Sequence, residues 1–80
     1  MTLGEAFKIR FNELLEQKGD SLHKFLKDNC IARSTIVNIL NGNTKNPSLA
    51  VIYQVSNGFK ITPIEFLDCE VFKNDEIDYL

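Results

Sequence analysis

Eighty residues carrying a net charge of −2 suit one small domain, and 44% apolar with 25% charged residues is the composition of a soluble globule. No run of eighteen apolar residues offers a membrane-spanning helix. Charge breaks up the N-terminal MTLGEAFKIRFNELLEQKG too often for a secretory leader, so a cytoplasmic protein is expected. Cys30 and Cys69 lie far apart and there is a single histidine, His23, so no zinc pattern forms. The cysteines read as free thiols in a reducing compartment, and no metal or cofactor is expected.

The first predicted element is a helix from Leu3 to Lys18. Phe7, Phe11, Leu14 and Leu15 recur at helical spacing, and Gly19 is placed to end it. Glu5 near its start and Lys18 near its end suit the helix dipole. Lys8, Arg10 and Lys18 read as a solvated face. A second helix opens at Ser21, with Leu22, Phe25 and Leu26 inward and His23, Lys24 and Lys27 outward. It ends at Asp28-Asn29-Cys30, where Asn29 is the residue best able to adopt positive φ.

Ile31 should plug the core ahead of a third helix, Arg33 to Leu40, which Asn41-Gly42 stops. A short polar loop, Asn43 to Asn46, leads to a fourth helix with Asn46 as cap and Pro47 at its first position. Its apolar content, from Leu49 to Gly58, predicts a central helix buried on more than one side. Thr62-Pro63-Ile64-Glu65 is a capping box opening a short fifth helix. The fold expected is all-α, a compact five-helix domain over residues 1–68. The tail, residues 69–80, is acidic with interleaved apolar residues, suited to docking on its own domain or on a second copy.

Two features single out the third helix. Arg33, Ser34, Val37, Asn38 and Asn41 fall on one face while Ile36, Ile39 and Leu40 fall on the other. Charge is also segregated. Residues 1–60 carry eight Lys/Arg against five Asp/Glu, residues 61–80 one against six, and no acid occurs from Asn29 to Ile64. An acid-free window with one hydrogen-bonding helix face is what a surface facing phosphates and base edges requires.

The stretch from Ile9 to Leu67 resembles the small helix-turn-helix repressors of the lambda-repressor and Cro type, the XRE-like family of bacteria and their phages. Lys18-Gly19, Ser21, the run ARSTIVNILNGNTKNPSL and Glu65-Phe66-Leu67 carry the resemblance. It implies a five-helix lambda-repressor-like domain whose third helix enters the major groove. Carried over by position, Arg33, Ser34, Val37 and Asn38 would contact bases, with Arg33 reading guanine, Asn38 adenine and Val37 a thymine methyl. Ser21, Asn41, Asn43, Lys45 and Asn46 would contact the sugar-phosphate backbone. The chain departs from the pattern at Leu22, Leu26, Cys30, Ala32 and Lys60, where polar, alanine, glycine, capping and glycine residues respectively are usual; with Cys30 in place of the turn glycine, either Asn29 or Cys30 must take a less comfortable backbone.

The function this implies is sequence-specific binding of double-stranded DNA by a small transcriptional regulator of the repressor type, as a homodimer on a pseudo-palindromic operator. The alternative is a protein-interaction module on the same scaffold, such as an antitoxin or co-regulator, using residues 69–80. No glycine-rich phosphate loop and no catalytic constellation suggests an enzyme.

Overall fold

Thr2 starts the first helix. In the computed structural model, which describes residues 1–73 and 76–79, the Thr2 hydroxyl accepts the Glu5 N–H and the Glu5 carboxylate accepts the Thr2 N–H, both at 3.1 Å. This reciprocal cap opens α1, Leu3–Lys18, and Gly19 ends it at φ +78°. α2, Leu22–Asp28, is capped by the Ser21 hydroxyl, and α3 spans Arg33–Leu40. α4 spans Leu49–Gly58 and α5 Pro63–Leu67, the latter with the expected Thr62–Glu65 capping box. A 3-10 turn, Glu70–Lys73, follows. The architecture is all-α with five helices, and among the described residues the only sheet-like pairing is one isolated bridge between Thr2 and Asp78.

One core serves every helix. It joins Phe7 and Phe11 of α1, Phe25 and Leu26 of α2, Ile36 and Ile39 of α3, Val51 and Val55 of α4, and Phe66 of α5, with Ile31 plugged in from the turn. Phenylalanine rings link the elements. Phe11 meets Phe7 at 5.7 Å and Phe25 edge-on at 5.6 Å, Phe25 stacks on Phe59 at 4.3 Å, and Phe7 meets Phe66 at 5.6 Å. Such pairs add about 0.5–1.5 kcal/mol each beyond their burial. α1 and α3 pack directly together, so the buried Ile36–Ile39 side of α3 fixes which side faces out.

Several details differ from the sequence reading, each for a local reason. α4 begins after Pro47, because the Ser48 hydroxyl accepts the Val51 N–H at 3.2 Å and takes the capping role expected of Asn46. α4 is not buried on several sides. Val51, Val55, Ser56 and Gly58 are buried, but Leu49 and Tyr53 are 62% and 58% exposed.

After α2 it is Cys30, not Asn29, that takes positive φ, at +54°. Asn29 stays at φ −108° because its Nδ2 donates to the Phe25 carbonyl at 2.8 Å. The Cys30 N–H donates to the Lys27 carbonyl and the Ile31 N–H to the Leu26 carbonyl. The end of α4 repeats this pattern with Lys60 at φ +60° and Ile61 donating to the Ser56 carbonyl. Both are Schellman closures with a non-glycine residue in the left-handed position and isoleucine next. Gly58 serves packing: a Cβ there would lie 2.7 Å from Phe25 Cζ.

Arg10 is not part of a solvated face. Its Nε and Nη2 donate to the Phe66 and Glu65 carbonyls at 2.8 and 2.9 Å, and its Nη1 meets Glu13 at 2.7 Å. It thereby closes the C-terminal end of α5, whose last carbonyls have no partner within the helix. The tail folds back on its own domain. Phe72 lies 6.0 Å from Phe66, the 3-10 turn packs on α1, and the Asp78 N–H donates to the Met1 carbonyl at 2.8 Å. Leu80 lies outside the described residues.

Candidate nucleic-acid interface

α3 places Arg33, Ser34, Asn38 and Asn41 in solvent and leaves Val37 half-buried. Ile36 is fully buried and Ile39 is 2% exposed on the opposite side. The outward set therefore sits on one helix held from behind by α1. The N-terminal end of α3 has Ala32 in the capping position and no side-chain cap, so its first amides lack the usual hydroxyl partner.

The loop after α3 is tied to that helix and to α1. Gly42 turns the chain at φ +82°. The Thr44 N–H donates to the Asn38 carbonyl at 3.0 Å, and the Asn43 amide reaches the Asn38 side-chain oxygen at 3.5 Å. The Lys45 carbonyl accepts the Gly4 N–H at 2.8 Å. Asn43, Lys45 and Asn46 are all exposed on this loop. Ser21 is exposed as well, with its hydroxyl already accepting the Lys24 N–H at 3.1 Å.

The structure thus brings Asn38, Asn43 and Lys45 onto one connected piece, while Ser21 and Arg33 sit at the starts of α2 and α3. Two contributors lay outside the sequence reading. Gly4 seats the loop: a Cβ at that position would fall 2.7 Å from the Thr44 carbonyl oxygen and 3.3 Å from that of Lys45. The available signal was a glycine in the first turn of a helix, where it costs stability unless a close approach requires it. Lys27 is the second, because with His23 and Arg33 it borders a concavity over Leu26 and Ile31.

The electrostatics are simple. On α2 the Asp28 carboxylate is engaged by Lys24 at 2.6 Å, which holds it below the usual carboxylate range through the hydrogen bond first and the charge second. The acid next to the loop's anchor is Glu5. Hydrogen bonds from Thr2, backbone first, hold its carboxylate below its ordinary value. Among the described residues no group of three or more His, Cys, Asp or Glu side chains is placed to hold a metal ion, and no helix is long and apolar enough to cross a membrane. No protein-family model, curated protein or solved structure matches the chain.

Proposed function

We propose that this chain binds double-stranded DNA sequence-specifically as a small transcriptional regulator of the repressor type, with α2 and α3 forming a helix-turn-helix and α3 lying in the major groove. The observation that supports it best is the division of α3. One side is locked into the core by Ile36 and Ile39, and the other offers Arg33, Ser34 and Asn38 to solvent beside a basic, acid-free loop. Arg33 offers a two-point donor for guanine and Asn38 a donor–acceptor pair for adenine, each worth about 1–3 kcal/mol of discrimination. Lys45, with Asn43 and Asn46, faces the backbone, which carries affinity and its salt dependence.

One domain supplies few base contacts, so the functional form is two copies on half-sites about 34 Å apart. The exposed apolar Leu49 and Tyr53 of α4 and Ile64 of α5 favour such a partner. The same residues favour, as a second reading, a protein-interaction module on this scaffold.

Selection of bound duplexes from a random pool is the decisive experiment. A recurring half-site with fixed spacing is the expected result. Arg33→Ala should then flatten sequence preference with little change on random DNA. A protein that binds no duplex at low salt would leave the protein-interaction reading in its place.

A further inference from the structure

Between α2 and α3 lies a shallow cavity of about 210 Å3, lined by His23, Leu26, Lys27, Ile31 and Arg33. Its floor is apolar, with Leu26 and Ile31 only 4% and 7% exposed. Its lining includes three nitrogen-bearing side chains and no carboxylate. Nearby acids are committed elsewhere, Asp28 to Lys24 at 2.6 Å and Asp20 to Lys18 at 3.5 Å. Among the described residues neither Lys27 nor Arg33 enters an ion pair. With Arg33 committed to a base under the proposed function, Lys27 is the cation of this lining left to meet an anion.

Size decides what kind of anion. Small-molecule sites usually enclose about 300–1,000 Å3, so this open cavity is too small for a typical free ligand. It suits one protruding unit of a larger polyanion. A phosphodiester matches both halves of the lining, giving an oxygen to the cations and the edge of a sugar to the Leu26–Ile31 floor. An acidic peptide would match the charge, but the cavity includes the first residue of α3. In a helix-turn-helix the first helix crosses the DNA backbone while the second enters the groove, so a cavity between α2 and α3 lies toward phosphate.

We propose that this cavity seats a DNA backbone phosphate, with Lys27 as its principal cation and His23 as a second hydrogen-bonding group. The proposal rests on the duplex-DNA reading and extends it, because it adds a contact from the body of α2 to those at its start.

The test compares full-length wild type, Lys27→Gln and Lys24→Gln on a short random-sequence duplex over a range of salt. Both variants lose one positive charge from α2, but Lys24 is paired with Asp28 and does not line the cavity. Loss of one phosphate contact should make the slope of log affinity against log salt shallower by about 0.9, so the fall in affinity from about 50 to 200 mM becomes about 3.5-fold smaller. Lys27→Gln should show this and Lys24→Gln should not. Equal changes in both variants would overturn the phosphate seat while leaving the DNA reading standing. Intact duplex binding in Lys27→Gln, with lost binding to polyglutamate, would overturn it in favour of an acidic peptide. A wild type that binds no duplex at low salt would sink both readings.

Discussion

Cys30 sits in a left-handed backbone conformation, φ +54°, that glycine adopts without penalty. For a residue with a Cβ this region costs about 1–2 kcal/mol, while glycine loses about 0.5–1 kcal/mol more entropy on folding. The steric term is the larger. Cys30 is exposed, so no packing is lost on replacing it. Cys30→Gly should therefore stabilise the chain by about 0.5–1 kcal/mol, raising Tm by roughly 2–8 °C. A thermal melt that shows no gain would mean the turn holds Cys30 without strain. The sequence narrows the strained position to Asn29 or Cys30 without choosing between them. Asparagine is the usual non-glycine choice for positive φ, yet Asn29 is diverted by its own side chain, which bonds the Phe25 carbonyl. A side-chain bond of that kind leaves no trace in the pattern of residue types.

At the scale of elements, Gly4 joins α1 to the loop that follows α3. In an open helix Gly→Ala gains up to about 1 kcal/mol from propensity. Here the new methyl would sit 2.7 Å from the Thr44 carbonyl oxygen, a backbone atom that cannot swing aside. Overpacking of this sort costs about 1–3 kcal/mol, so the net expected for Gly4→Ala is a loss of up to about 2 kcal/mol. The amide resonances of Thr44 and Lys45 should shift with it, and under the proposed function duplex affinity should fall because Asn43, Lys45 and Asn46 ride on that loop. A variant more stable than wild type would refute the steric argument.

The five helices and the split of α3 were legible because each rests on local signals: period, caps and terminating glycines. The seating of the loop by Gly4 and the closure of α5 by Arg10 were not. Each joins residues forty or more positions apart, and periodicity carries no information about such meetings. The exposed face of α4 was misread for a related reason, since apolar content alone does not reveal how many neighbours a helix has.

At the scale of the whole molecule the two ends of the chain meet. The Asp78 N–H donates to the Met1 carbonyl at 2.8 Å, the Met1 amine reaches the Glu76 carbonyl at 3.4 Å, and Phe72 rests on Phe66. The 3-10 turn in between is braced by Lys73 on Asp68 at 2.9 Å. The hydrogen bond from Lys73, and then its charge, hold the Asp68 carboxyl below its ordinary value, while the same pair raises Lys73. A lowered carboxyl contributes fully above its unfolded-state value, near 4, and the contribution fades as pH falls through the folded-state value. The raised lysine contributes below its own unfolded-state value and stops contributing only as alkaline pH rises through its folded-state value.

Acid is therefore the direction in which the brace fails first. The pair is exposed, so its loss should loosen the turn without melting a core in which Phe7, Phe11, Phe25 and Phe66 are buried. Followed by nuclear magnetic resonance, the Phe72 ring signals should move toward free-chain positions below about pH 4, ahead of those of Phe11 and Ile36. Asp68→Asn should show the loosened turn already at neutral pH, with little further change on acidification. Phe72 signals that hold until Phe11 and Ile36 give way together would show that burial against Phe66, rather than the ion pair, keeps the end of the chain in place.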